Sequence, residues 1–181
     1  MKIITISIIS TLMLLSCNSL KTTKRILNSG NYNIAILNAT KKLIKNKKSK
    51  KAQKYIPILK TAFQKAIQQD NKRISFLIKE NNPENLEEVY ETYQRMQQRQ
   101  KRLKPLLPLH NYSNNKKAIF NLVSYDNEIL KYKSQLSLFL YNKSKTALQK
   151  STNKYDFRKT FEDLNYLEKI NSNYQNTRVI N

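Results

Sequence analysis

Few side chains in this sequence are of the types that carry catalytic or metal-binding chemistry. There is one cysteine, Cys17, one histidine, His110, and 12 acidic residues in a chain of 181. Metal sites usually draw on several His, Cys, Asp or Glu ligands, and a Ser/His/Asp arrangement would have to use His110. That histidine follows two prolines, where we expect an exposed loop. The sequence therefore predicts no enzyme, no catalytic residue, no metal or cofactor and no small-molecule substrate.

The acidic residues that lie close together have a simpler explanation than acid/base catalysis. They follow Pro83 at the predicted start of a helix, at positions Glu84, Glu87, Glu88 and Glu91. Negative side chains are favourable at a helix N-terminus, and pairing with Arg95 adds to the stability of the helix. We therefore interpret this cluster as structural.

The residues before Cys17 have the layout of an export signal. The chain starts with Met1-Lys2, and Ile3 to Leu15 is an apolar stretch broken only by small hydroxyl residues. A helix that spans a bilayer needs about 20 apolar residues, and this run is shorter, with polar residues following from Asn18. The layout predicts a secretory signal that targets the chain rather than a membrane span.

Leu14-Leu15-Ser16-Cys17 resembles the bacterial lipobox, in which a branched apolar, a variable and a small residue precede an obligatory cysteine. The resemblance implies that the Cys17 thiol is alkylated with diacylglycerol and that residues 1–16 are a cleaved lipoprotein signal peptide. Each buried methylene contributes about 0.8 kcal/mol, so two or more acyl chains hold a protein stably on a membrane. The alternative is an ordinary signal peptide with a chance cysteine near its end.

The charge balance is strongly basic, with 34 Lys and Arg residues and a formal net charge of +22. One interpretation is a polyanionic partner, and the other is compositional drift, since Lys, Asn and Ile are abundant together as in AT-rich genomes. Export argues against nucleic acid as the natural ligand. A possible polyanion-binding cluster consists of Lys41, Lys42, Lys45, Lys47, Lys48, Lys50, Lys51 and Lys54.

A single glycine and four prolines favour helices. Tight hairpins, phosphate loops and nucleotide-binding turns need glycine at positive φ, and they are nearly excluded. Apolar residues recur instead at helical spacing, which predicts an all-α fold of antiparallel helical hairpins. One cysteine cannot form a disulfide within the chain, so stability must come from packing.

The helical periodicity divides residues 17–103 into two parts. A first pair of helices covers about 22–46, and a second hairpin covers about 52–103. Pro57 either opens the long helix of this second hairpin or kinks it, because proline lacks the N–H that an interior position would donate.

The second half of the chain contains one more hairpin. A proline-containing connection covers 104–125, and within it the stretch 118–125 fits a short strand or a helical turn equally well. A third helical hairpin covers 126–174. Residues 175–181 have the pattern of a further helix that stops early, which suggests a truncated element.

Gly30-Asn31-Tyr32 with Ala35 resembles the signature that opens the second helix of a tetratricopeptide repeat, and Leu43 falls where that family expects an apolar residue. Asn153-Lys154-Tyr155 resembles the start of the same repeat, although Arg158 occupies the position of its small alanine. The resemblance implies a tetratricopeptide-like array of stacked helix pairs, whose grooved face can hold a peptide. The alternative is an irregular helical bundle in which the same apolar stripes fill a core.

Four tyrosines, Tyr32, Tyr90, Tyr93 and Tyr155, lie on the predicted apolar faces, so we expect them in the core. The lipobox, the helix order and the stretch 81–109 together resemble repeat-bearing envelope lipoproteins of Bacteroidota. This likeness implies a lipid-anchored protein of the bacterial cell envelope. The grooved helical array and the lack of catalytic residues favour a non-catalytic adaptor that binds another envelope protein. No acidic residue follows Cys17 at positions 18–20, which favours a protein that faces the periplasm, on the outer membrane. The alternative is a protein that binds anionic lipid or lipopolysaccharide through its lysine cluster.

Overall fold

The computed structural model describes residues 19–112, 115–150 and 153–179, so Cys17 and the lipobox residues Leu14, Leu15 and Ser16 lie outside the described residues. Within those ranges the regular secondary structure is helical apart from one short β-hairpin, which confirms the all-α fold class. The helices are residues 19–28 (α1), Tyr32–Lys45 (α2), Lys50–Gln53 (α3), Ile56–Lys79 (α4), Leu86–Leu103 (α5), Asp126–Lys150 (α6) and Lys154–Ile170 (α7). Short 3₁₀ segments lie at Pro83–Asn85, Lys104–Leu106 and Tyr174–Val179.

The helix ends are marked by the residues that the sequence pattern singles out. Gly30, between α1 and α2, has φ 82°, a left-handed conformation that only glycine adopts without strain. Pro57 is the second residue of α4 and therefore opens this helix rather than kinking it. Asn82 accepts a hydrogen bond from the Glu84 N–H, and Asn153 accepts two from the first turn of α7.

The connection between α5 and α6 contains the β-hairpin. Strand β1, Leu109–Asn111, pairs antiparallel with β2, Lys116–Ala118, and Leu109 lies opposite Ala118. Residues 119–125 are neither strand nor helix, so both alternatives for that stretch are wrong beyond Ala118. His110 is half-buried on β1, which corrects the expectation of an exposed loop.

Buried glutamine side chains hold this connection in place by acting as backbone partners. Gln53 donates to the His110 carbonyl (3.1 Å) and accepts from the Tyr112 N–H (2.9 Å). Gln100 likewise donates to the Val123 carbonyl (2.8 Å) and accepts from its N–H (3.0 Å). Each amide therefore satisfies two backbone groups that would otherwise lack partners in a segment without regular structure.

The chain divides into two compact units that share the long helices α4 and α5. Unit 1 comprises the described residues up to Lys72 together with Gln98–Val123. Its apolar core joins α2, α3, the first half of α4 and the end of α5, and its largest fully buried side chains include Ile36, Leu43, Leu59, Phe63 and Leu103. The ring of Phe120 packs edge-on against Phe63, with ring centroids 5.6 Å apart. This contact attaches the extended segment to the core.

Unit 2 comprises Arg73–Gln97 and the described residues from Ser124 onward. Helices α6 and α7 form an antiparallel hairpin, because Ser137 pairs with Asn171 while Lys143, further along α6, pairs with Asp163, further back on α7. Its buried apolar side chains are Ile74, Leu77, Val89, Tyr90, Met96, Tyr125, Tyr132, Leu136, Leu140, Leu164 and Leu167. The segment after α7 has left-handed residues at Gln175 and Asn176, so Tyr174–Val179 forms turns rather than a regular helix.

Candidate functional site

The residues of the repeat signature have different environments. Ala35 is fully buried in unit 1, and Tyr32 packs half-buried against the same core. Tyr155, at the start of α7, is 74% exposed, so the expectation that it lies in the core is wrong. Phe157 and Phe161 are also exposed, because the buried face of α7 is formed by Thr160, Leu164 and Leu167 instead.

The lysine cluster lies on the solvated surface of unit 1. Seven of its eight members are exposed and Lys47 is half-buried. Helix α2 adds an apolar component, because Ile34, Leu37 and Ile44 are exposed. Helical spacing places these three on one side of α2 together with Lys41 and Lys45. The described surface of α2 therefore combines lysines with exposed aliphatic groups.

An open cleft of about 500 Å³ lies in unit 2. Volumes of this size are typical of ligand and peptide sites. Apolar side chains of α4, α5 and α6 form most of its wall: Leu77, Ile78, Pro83, Leu86, Val89, Tyr132, Leu138 and Phe139. Asparagine and glutamine side chains, including Asn81, Gln135 and Asn142, supply its polar groups. We call this feature the unit 2 cleft.

The unit 2 cleft has a buried base and an exposed mouth. Leu77 and Val89 are almost fully buried, whereas Ile78 and Leu138 are 46% and 47% exposed. Large apolar side chains that remain half in water at the edge of a concave surface mark a site for another apolar group. This arrangement can bind and orient a segment of another molecule, but it brings together no pair of groups suited to acid/base or nucleophilic catalysis.

Ion pairs connect the helices of unit 2: Arg73–Glu88 joins α4 to α5, and Lys143–Asp163 joins α6 to α7. Arg73 of α4 forms two hydrogen bonds with the Glu88 carboxylate, at 2.6 and 2.7 Å, and these bonds, followed by its charge, lower the pKa of Glu88. Burial opposes the charged form of Lys143, yet the carboxylates of Asp163 and Glu84 raise its pKa above the ordinary value. The sequence pattern indicated a structural role for the glutamates, and their partners include Arg73 and Lys143 in addition to the expected dipole.

Several tyrosines pack inside unit 2, where burial makes their hydroxyl groups weaker acids. Tyr93 stacks on Tyr132 with ring centroids 5.6 Å apart, and burial raises the pKa of Tyr93. Burial also raises the pKa of Tyr90. Tyr166 is affected most, because burial and the neighbouring Glu87 and Glu91 carboxylates all disfavour its phenolate and raise its pKa. These hydroxyls therefore remain neutral at physiological pH.

A buried ion pair in unit 1 is the polar feature that sequence reasoning missed. The Arg99 guanidinium, 3% exposed, contacts the Asp70 carboxylate at 2.7 Å and donates to the Asn33 side chain at 3.0 Å. A signal for the pair does exist in the sequence. Asp70 lies between Ile67 and Ile74 at helical spacing, so its charge falls on the apolar face of α4.

Metal-ligating residues do not gather into a group of three or more anywhere in the part of the chain that the structure describes. Among the described residues, no helix combines the length and the apolar character needed to cross a bilayer.

No family model, curated protein or solved structure matches the chain.

Proposed function

We propose that this protein is a non-catalytic, lipid-anchored adaptor of the bacterial cell envelope that binds an apolar segment of another envelope protein in the unit 2 cleft. The observation that supports the proposal best is the cleft itself, whose mouth exposes Ile78 and Leu138 above a buried aliphatic base. An apolar segment placed there would remove these side chains from water, which stabilises a complex by roughly 25 cal/mol per Å² of apolar surface.

Charge defines the partner further. Lys131 lines the unit 2 cleft, and its ammonium lies 5.4 Å from the centroid of the Tyr132 ring. The chain as a whole carries a formal charge of +22. We therefore infer an occupant with apolar residues at its centre and acidic residues on its flanks, because such a segment complements both the wall and the rim.

The anchoring part of the proposal depends on the sequence. Leu14-Leu15-Ser16-Cys17 has the lipobox pattern, and lipidation at Cys17 would hold the helical units at the membrane, on the outer membrane and facing the periplasm. The Gly30, Tyr32 and Ala35 signature supports stacked helix pairs of the tetratricopeptide type. A lipid anchor combined with a binding cleft gives the protein a tethering function, and tethering a partner requires no catalytic reaction.

Site-specific crosslinking in intact cells tests the unit 2 cleft. A photoreactive residue at position 138 should give one discrete crosslinked species, and Ile78→Asp should abolish it by placing a charge in the mouth. The matched controls are a photoreactive residue at 130, because Leu130 lies on α6, is 67% exposed and does not line the cleft, and Phe76→Asp on α4. Equal crosslinking from positions 130 and 138, or a crosslink that survives Ile78→Asp, would refute the proposal.

Substitution of the cysteine tests the anchor. Cys17→Ala should block incorporation of labelled fatty acid and release the protein from membranes, since the thioether bond can no longer form. The control is Ser19→Ala, which leaves the lipobox intact. If the Cys17→Ala protein remains in the membrane fraction as fully as the parent, the anchoring proposal is wrong.

A second candidate function is binding of anionic lipid or lipopolysaccharide, and the surface of α2 favours it. Exposed Ile34, Leu37 and Ile44 lie on the same side of the helix as Lys41 and Lys45, a combination that suits an anionic interface. A soluble form that lacks residues 1–17 should bind vesicles with anionic lipid at low salt and should dissociate as salt rises. Ile44→Asp should weaken this binding more than Ile119→Asp, which changes an exposed residue outside α2. Failure to bind anionic vesicles at low salt would exclude this function.

A further inference from the structure

A second pocket, of about 320 Å³, lies in unit 1 at the start of α2. Its lining includes Asn33 and Ile34 from the first turn of α2, Asp70 from α4 and Arg99 from α5. It differs from the unit 2 cleft because hydrogen-bonding groups, rather than aliphatic side chains, dominate its wall.

Backbone donors at the start of α2 lack protein partners. The first N–H groups of a helix have no intrahelical acceptor, and at this helix the capping residue Asn31 makes no side-chain cap. The Tyr32 N–H donates to the Gly30 carbonyl and the Ala35 N–H to the Asn31 carbonyl. The two amides between them, those of Asn33 and Ile34, make no hydrogen bond within the described structure. The first turn of α2 also carries no acidic residue, so its partial positive charge is not offset there.

Arg99 supplies an independent donor to the same pocket. Its Nε donates to the Asn33 Oδ1 at 3.0 Å and its Nη2 to the Asp70 carboxylate at 2.7 Å. Arg99 itself is one of the residues that line the pocket. The remaining terminal nitrogen, Nη1, is buried and has no partner in the described structure. A buried arginine with an unused donor requires an acceptor that the chain does not provide.

The charges around the pocket favour an anion. Asp70 opposes an incoming negative charge, but its own charge is compensated by Arg99 at contact distance. The helix N-terminus and Lys65, whose ammonium lies 5.9 Å from the centroid of the pocket-lining Tyr32 ring, add positive potential. We propose that this pocket binds a small organic carboxylate, whose oxygens accept from the Asn33 and Ile34 amides beside the Arg99 guanidinium.

Titration of the full chain with sodium acetate, followed by the amide resonances of Asn33 and Ile34 in NMR spectra at constant ionic strength, tests the proposal. The expected result is a saturable shift of both resonances, with half-saturation at about 1–10 mM acetate. Acetamide has the same shape without the charge and should bind at least about tenfold more weakly. The absence of saturable shifts with up to about 100 mM acetate, or tighter binding of inorganic phosphate than of acetate, would overturn the assignment.

The matched pair Asn33→Asp and Asn38→Asp separates ligand binding from folding. Aspartate at position 33 retains the acceptor for Arg99 Nε and is favourable in a first turn, so this variant should unfold at no lower temperature than the parent. Its carboxylate should repel acetate and reduce the affinity at least about tenfold. Asn38→Asp adds the same charge to α2 away from the pocket and should leave the affinity within about twofold of the parent. Unchanged acetate affinity in Asn33→Asp would refute the proposal.

Discussion

Two ion pairs of nearly equal length allow a direct test of how burial changes the contribution of a salt bridge. The Arg99–Asp70 pair measures 2.7 Å with side chains 3% and 11% exposed, and the Arg73–Glu88 pair measures 2.6 Å with side chains 47% and 45% exposed. Each pair joins α4 to α5 within a single unit. The perturbation is therefore the same in both cases, removal of the acid by Asp70→Ala or Glu88→Ala.

The expected magnitudes differ because only one of the remaining arginines is cut off from water. In Asp70→Ala the buried Arg99 charge loses its partner, which typically costs about 3–5 kcal/mol. The Asn33 side chain still accepts from Arg99, so we expect a loss of about 3 kcal/mol in the free energy of unfolding. In Glu88→Ala, Arg73 regains full hydration, and the loss should be much smaller.

Urea unfolding followed by circular dichroism measures both losses. The double variant Asp70→Leu/Arg99→Met provides the control for charge, because replacement of a buried pair by apolar groups is often neutral or stabilising. We expect it to recover most of the loss of Asp70→Ala. If Asp70→Ala and Glu88→Ala reduce stability equally, or if the double variant is less stable than Asp70→Ala, the argument from burial is wrong.

Three further variants or measurements examine the backbone, the core and the tyrosines. Gly30→Ala should cost about 1 kcal/mol in urea unfolding, since φ is 82° although nothing lies within 4 Å of the added methyl group; equal stability would contradict the left-handed conformation. Leu140→Ala should cost about 2–5 kcal/mol because Leu140 is buried in unit 2, and a loss well under 1 kcal/mol would place it outside the core. Tyr90, Tyr93 and Tyr166 should ionise above the ordinary pKa of 10.0 in a near-ultraviolet absorbance titration. Since the folded pKa is the higher one, the stability they contribute is complete below pH 10.0 and is lost as pH rises towards the folded pKa; normal titration of all tyrosines would contradict their burial.

Helix positions could be predicted from local residues because their signals are local. Gly30 at positive φ, Pro57 in the first turn of α4 and Asn153 as a cap each act on neighbours within about one turn. The β-hairpin could not be predicted in the same way. Its strands have three residues each and are supported by Gln53, which is 57 residues before His110 in the chain. A pattern along a short window contains no information about such a partner.

The face of a helix that is buried was harder to predict than the helix itself. Tyr155, Phe157 and Phe161 are three of the four aromatic residues of α7, yet they are exposed. The smaller Thr160 is buried instead, and its hydroxyl donates to the Asp156 carbonyl one turn earlier. Periodicity placed Tyr155 in the core because it uses only apolar character and spacing, whereas the observed face depends on the surface of α6 against which α7 packs.

The charged residues on apolar faces offer the sequence signal that connects the fold to a binding site. Asp70 interrupts the stripe of α4, and Arg99 lies between Met96 and Leu103 on the stripe of α5 at the same spacing. Burial of either charge alone would lower the stability of the fold, so two opposite charges on facing stripes predict an ion pair. In the structure, this ion pair and the hydrogen bond to Asn33 hold Arg99 beside the backbone amides of α2 that lack acceptors. An arginine has five N–H donors, and Asp70 and Asn33 together do not accept from all of them. The buried ion pair therefore leaves Arg99 Nη1 without an acceptor in the described structure. The carboxylate site that we propose at the start of α2 thus follows from how the helices of unit 1 pair their buried charges, and it does not depend on the function that we propose for the unit 2 cleft.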